Sequence, residues 1–117
     1  MVYEQQKRLE DAVAEYRKAL ELNPNFDDAY PPLAGSLVRI GRREDAVGPL
    51  EAYLKRKPDD MKVRRLYADV LRDLNRKEAA VVEYERIVKK DPGDVETVLE
   101  LARQATLQGK KLEAIGM

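Results

Sequence analysis

The chain contains no cysteine and no histidine. Without cysteine there is no disulfide, no thiolate metal site and no sulfur nucleophile; without histidine the side chain most used for proton transfer near neutral pH is missing too. Long apolar runs are also lacking. Nothing approaches the roughly 20 residues that a membrane-spanning helix needs, and the opening MVYEQQKRLED has no signal-peptide apolar core. The segment is therefore expected to be soluble and not to insert into a membrane. It has no glycine loop to cradle phosphate, no nucleophile motif and no cluster of metal ligands. No catalytic residue, metal or cofactor is expected. With 22 acidic residues some carboxylates must lie close together, and such proximity alone does not point to acid–base chemistry.

What the chain does have is a period. Pro24, Pro58 and Pro92 stand 34 residues apart, closing the related stretches RKALELNP, EAYLKRKP and ERIVKKDP. A fixed period of this length marks a supersecondary unit too small to bury its own apolar face, so that successive units stack into a solenoid. Function then belongs to an extended surface. A content of 44% hydrophobic and 38% charged residues in 117 fits one helical domain with a densely ionised exterior.

Cut at that period, residues 27–60 and 61–94 are complete units, while 1–26 and 95–117 are partial ones. Tyr30, Leu33, Ala34 and Leu37 recur at helical spacing and predict a first amphipathic helix. Ala46, Leu50, Tyr53 and Leu54 predict a second, matched one unit later by Ala80, Tyr84, Ile87 and Val88. Gly41, Asn75 and Gly109 hold equivalent places and predict the turns between first and second helices. Asp60 and Asp94 follow the prolines where an N-cap belongs. Pro31 and Pro32 fall in an opening turn, where missing amides are tolerated. Gly48 and Pro49 fall inside a second helix, where a kink or a displaced turn is expected.

Net charge is zero, but its distribution is uneven. Residues 1–38 carry four bases against seven acids, 39–77 twelve against seven, and 78–117 six against eight. A basic middle between acidic flanks would steer an acidic partner to the centre. Ordinary solvated helix surface explains the same pattern.

Tyr30, Leu33, Ala34, Leu37, Ala46, Leu50 and Pro58, then Arg64, Tyr67, Ala68, Leu71, Ala80, Tyr84 and Pro92, follow the pattern W-x2-L-G-x2-Y, A-x3-F, P with substitutions. Ala12, Tyr16 and Pro24 extend it at the front, and Val98, Leu101, Ala102, Ala105 and Ala114 at the back. In these residues the chain resembles the tetratricopeptide repeat family over nearly its whole length. The resemblance implies an all-α, right-handed superhelical solenoid of antiparallel helix-turn-helix units, about three and a half repeats and seven to eight helices here. It also implies a non-catalytic scaffold whose concave face, lined by the first helix of each unit, holds a peptide of a partner protein.

On that face the first helix of the third unit places Lys62, Arg65, Leu66, Asp69, Arg72 and Asp73. Asp28, Val38 and Arg39 flank them in the second unit, and Glu96, Leu99, Glu100, Arg103 and Thr106 in the fourth. The candidate partner contacts are Arg39, Lys62, Arg65, Leu66, Asp69, Arg72, Leu99 and Arg103, with the cations meeting an acidic segment or carboxylate and the leucines acting as anchors. The competing reading is a helix balancing its own charges, since Arg65 and Asp69 lie four apart. Some members of the family grip a chaperone tail's terminal carboxylate with lysine and asparagine on one first helix, asparagine on the next, and lysine and arginine on a third. Begun in the second unit, the matching places here are Pro31, Gly35, Leu66, Glu96 and Glu100; begun in the first, most of the helix is missing and Pro32 holds the middle place. That clamp is not expected.

Base-reading helical repeats have a period one residue longer and need base-specific pairs in basic grooves, so nucleic acid is not an expected partner. A continuous coiled coil is excluded by the spaced prolines. Neither end carries a capping pattern, which predicts a fragment of a larger protein. Val13, Tyr16 and Leu20 at one end, and Leu101, Ala105 and Ile115 at the other, are expected to be partly uncovered and to favour self-association. The alternatives to a peptide-binding scaffold are thus a self-assembly module, or the partner-selecting segment of a larger enzyme, secretion or transport protein.

Overall fold

The computed structural model describes the backbone of residues 2–114 and the side chains of residues 4–104 and Thr106. Among the described residues six α-helices follow one another: α1 (Val2–Leu22), α2 (Tyr30–Arg39), α3 (Arg43–Arg56), α4 (Met61–Asp73), α5 (Lys77–Lys90) and α6 (Val95–Ala114). Each packs on its neighbours in sequence, and α2 also touches α4. The molecule measures 52 × 31 × 23 Å with a radius of gyration of 16.3 Å, against about 13 Å for a globular chain of this length. The array is an open solenoid with α2, α4 and α6 in one layer and α1, α3 and α5 in the other.

Local chemistry sets the helix boundaries. Helices α1, α3 and α5 each end two residues before a proline of the 34-residue series. Asp60 caps α4, its side chain accepting from the Val63 amide at 3.3 Å, and Asp94 does the same for α6 through the Thr97 amide. The equivalent residue before the second unit is Phe26, which makes no side-chain cap bond. There a short 3-10 turn, Asp27–Ala29, precedes α2, and Pro31 and Pro32 sit in the helix's opening turn. Helix α2 therefore begins three residues later in the unit than α4.

The turns after α2 and α4 share one geometry. Gly41 (φ 86°) and Asn75 (φ 65°) adopt left-handed backbone, the Arg42 and Arg76 amides donate to Leu37 and Leu71, and the Gly41 and Asn75 amides donate to Val38 and Arg72. This paired closure satisfies the last helical carbonyls. The turn expected at Gly109 does not form, nor does one form at the equivalent place in α1, so six helices stand among the described residues where seven to eight were expected. Residue 7, one period before Gly41, is Lys7, which disfavours the left-handed conformation, and α1 runs through it. Gly109 permits that conformation, yet α6 continues across it; a glycine costs a helix interior only about 1 kcal/mol, so it allows a turn without enforcing one. Of the kink or displaced turn expected at Gly48 and Pro49, the displaced turn is absent. Helix α3 is unbroken from Arg43 to Arg56, matching α5 in length. Gly48 and Asp45 are exposed, so the Asp45 carbonyl that loses its amide at Pro49 faces solvent.

The core forms two clusters. The larger joins Val13, Leu33, Ala34, Leu37, Ala46, Leu50, Tyr53, Leu54, Val63 and Val70 across α1 to α4; the smaller joins Ala68, Leu71, Ala80, Tyr84 and Ile87 in α4 and α5. Val13, expected to be partly uncovered, is 3% exposed because α2 covers it. Tyr16, Leu20 and Leu101 are partly buried, while the side chains of Ala105 and Ile115 lie outside the described residues.

Candidate functional site

The residues singled out in the sequence meet where α4 faces α6. Arg65 donates to the Thr97 hydroxyl at 2.8 Å and lies 3.5 Å from Asp69, 3.7 Å from Asp94 and 3.6 Å from Glu96. Arg72 reaches Asp69 at 3.6 Å, Asp73 at 3.1 Å and Glu100 at 3.4 Å. Arg103 pairs with Glu100 at 3.1 Å, and Gln104 donates to the same carboxylate at 3.0 Å. The three arginines are thus engaged inside the protein, as in the self-balancing reading of their spacing. Lys62 is exposed and has no ion-pair partner among the described residues. Leu66 is half-buried on the larger core cluster, and Leu99 is 58% exposed. Arg39 stands apart, lining a hollow of about 250 Å³ with Gln5, Gln6 and Leu9 of α1.

Titration chemistry follows the same contacts. Burial first, and then the hydrogen bond donated to Asp69 at 2.5 Å, push the Tyr84 hydroxyl well above its ordinary pKa. The hydrogen bonds from the Thr97 hydroxyl and amide hold the Asp94 carboxyl below the usual carboxylate range. Neither shift creates an activated nucleophile or a base poised near neutrality. Among the described residues no group of three or more acidic side chains is arranged to hold a metal ion, and no helix is long and apolar enough to cross a membrane.

Two features escaped the sequence reading. Thr97, Glu100 and Gln104 are 0%, 6% and 4% exposed, so α6 buries a polar stripe while Val95, Val98 and Leu99 face outward. Their signal was the register: one period earlier the same places are Val63, Leu66 and Val70. The second is Arg64, only 5% exposed, which pairs with Glu83 and donates to the Pro58 carbonyl at 2.8 Å. Tyr30 donates at 2.8 Å to the Pro24 carbonyl, the same bond one period earlier. The large side chain at this place thus fastens its helix to the proline turn behind it, and Val98 has no donor with which to repeat the bond.

Comparison with known proteins agrees with this architecture. A family model described as tetratricopeptide repeat matches residues 32–95, and a second, described as TPR repeat, matches residues 2–41. No curated protein matches the chain in sequence. Among solved structures, MamA is similar at a TM-score of 0.81 and 17% identity, over 91% of this chain and 62% of its own. YrrB, described as a TPR protein with an unusual peptide-binding site, is similar at 0.80 and 18%, over 92% of this chain and 56% of its own. The first TPR of Spaghetti (RPAP3), bound to the HSP90 peptide SRMEEVD, is similar at 0.78 and 19%, over 92% and 85%. The chain spans about three fifths of the MamA length, and at these identities the likeness is one of fold. With its 34-residue register, paired helices and family-model match over more than half its length, the chain belongs to the tetratricopeptide repeat family.

Proposed function

We propose that the chain is a protein-interaction scaffold, not a catalyst, and that it holds a peptide of a partner protein on the layer formed by α2, α4 and α6. The observation that carries this reading is the combination of fixed cations with an uncovered anchor. Arg65 and Arg72 are held in place by Asp69, Asp73 and Asp94, Lys62 is free to pair, and Leu99 offers exposed apolar surface. Glu96 is 84% exposed at its contact with Arg65, so an acidic residue of the partner exchanges for it at little desolvation cost. Two fold neighbours, one described with a peptide-binding site and one with a bound peptide, support the class of ligand. The chaperone-tail clamp is not part of this proposal: Glu96 and Glu100 put acids where that clamp needs cations.

Peptide capture by the Lys62→Glu and Leu99→Ala variants tests the reading, since neither side chain holds the fold together. Both are expected to lose a partner retained by the wild type at low salt; retention by both moves the site off this layer. Charge reversal at Arg65 or Arg72 is a poorer probe because it also breaks internal pairs. A second reading, self-association, is favoured by the uncovered Val95, Val98 and Leu99 of α6 at 66%, 40% and 58% exposure. It requires a mass that rises with concentration in light scattering and returns to one chain on Leu99→Glu; a constant mass removes it.

A further inference from the structure

The opposite layer carries a second concave feature that the inner-face reading does not use. Between the α3–α4 connection and the last turns of α5 lies a cavity of about 450 Å³ lined by Pro58, Met61, Arg64, Arg86, Lys89 and Lys90, with Asp59 beside them. It adjoins a hollow of about 380 Å³ that shares Pro58, Arg64 and Arg86 and extends to Lys55 and Tyr67. Each acid of this surface is already engaged. Glu83 is held by buried Arg64, Glu51 accepts from the Tyr67 hydroxyl at 2.8 Å, and Asp59 lies 3.4 Å from Lys90. The cations are not matched. Lys55 and Lys89 are exposed with no ion-pair partner among the described residues, and Arg86 reaches Glu83 only at 4.0 Å. Lysines in a helix's last turn complement its dipole, which accounts for Lys89 and Lys90. It accounts neither for Arg86, a turn earlier, nor for the cavity that these side chains surround.

We infer that this cavity is a docking site for an acidic protein segment that inserts one apolar side chain. Its volume falls within the range of ligand pockets, Pro58 and Met61 supply apolar lining, and Arg86, Lys89 and Lys55 offer charge-assisted hydrogen bonds to carboxylates on either side. Arg64 is locked by Glu83 and the Pro58 carbonyl, so one guanidinium of the wall is fixed before any partner arrives. A nucleic acid is disfavoured because Tyr67 is the lone aromatic side chain of the lining and donates to Glu51, leaving no stacking platform.

The test is fluorescence anisotropy with a short labelled peptide of glutamates flanking a single phenylalanine. The double variant Arg86→Glu, Lys89→Glu is expected to weaken binding by about tenfold or more, while Lys18→Glu on α1 leaves it within about twofold. Replacing the phenylalanine by glycine is expected to weaken binding by about tenfold, since the cavity is then unfilled. Circular dichroism melts verify that the variants, all at exposed positions, remain folded. Arg86→Gln serves as the milder variant if charge reversal unfolds the protein. Absence of wild-type binding, equal affinity for the glycine peptide, or loss with Lys62→Glu but not with the outer variant would each overturn the inference. Tighter binding to an oligothymidine or to anionic vesicles than to the peptide would overturn it too.

Discussion

Two of the three inter-repeat junctions of this chain, α3–α4 and α5–α6, occupy the same places in the 34-residue register and are filled with opposite chemistry. Where α4 packs against the preceding unit, the buried places are Val63 and Val70, with Leu66 and Tyr67 beside them. Where α6 packs against its preceding unit they are Thr97, Glu100 and Gln104, with Leu101. Burial is alike, 9% and 1% exposure for the two valines against 0%, 6% and 4% for the polar three. Superhelical geometry therefore dictates which places are covered and leaves the covering chemistry open, even though the Gln104 Oε1 is buried there with no hydrogen-bond partner among the described residues. Glu100 is paired with Arg72, Arg103 and Gln104. Such a junction is selective in geometry, but it contributes less net stability than an apolar one, because desolvating the charges offsets their attraction.

Truncation at the matched pair Val70 and Gln104 should break this symmetry most clearly. Val70→Ala opens a cavity in the larger cluster and is expected to cost about 2 kcal/mol. Gln104→Ala removes one hydrogen bond to a carboxylate that keeps two arginines, and is expected to cost about 0.5 kcal/mol. Urea denaturation of both variants measures the difference; equal losses would show the junctions to be energetically equivalent. A graft sharpens the same point in the other direction. Thr97→Val, Glu100→Leu and Gln104→Val together copy the first junction onto the second, and Arg72 retains Asp69 and Asp73. The triple variant is expected to gain about 1.5 kcal/mol and to slow amide exchange at the start of α6.

Some of this was legible in the sequence and some was not, for identifiable reasons. The period, the caps at Asp60 and Asp94 and the turn residues Gly41 and Asn75 are local chemistry and can be read residue by residue. Lys7 and Gly109 show the limit of that reading: a turn forms when the residue permits it and a following helix folds back, and only the first condition is written locally. The engagement of Arg65 and Arg72 was missed in part because Glu96, Thr97 and Glu100 come from the next unit and Asp94 from the far end of their own. Glutamate and glutamine read as surface residues by type, so the buried Glu100 and Gln104 become visible only when their register is given more weight than their polarity.

Caps separate the units as well. Asp60 holds the Val63 amide and accepts the Tyr53 hydroxyl at 2.6 Å, whereas Phe26 does neither for α2. Asp60→Ala is accordingly expected to cost about 1 kcal/mol. The bond to Asp60, followed by burial, pushes the Tyr53 hydroxyl up to about 12. Because the folded value lies above the ordinary one near 10, this contribution is complete below about pH 10 and is lost as pH rises toward 12. Alkaline denaturation should lose that component in Tyr53→Phe; an unchanged alkaline limb would detach the titration from this pair.

The smallest effect lies in the turns that separate first from second helices. Gly41 and Asn75 close the same hydrogen-bonded motif with positive φ, yet only glycine does so without a side-chain clash. Asparagine reduces the penalty through its short polar side chain but does not remove it. Asn75→Gly is therefore expected to stabilise the protein by about 0.3 kcal/mol, the relief of backbone strain slightly exceeding the added chain entropy. The converse, Gly41→Asn, is expected to destabilise it by a similar amount, about 0.3 kcal/mol, since no neighbouring atom would crowd the new β-carbon. Paired urea titrations resolve the sign. Opposite signs would show the two turns to be interchangeable parts of one repeat, whereas a loss at both positions would mean that the Asn75 side chain supports the α4–α5 turn in a way that the Gly41 turn does not require.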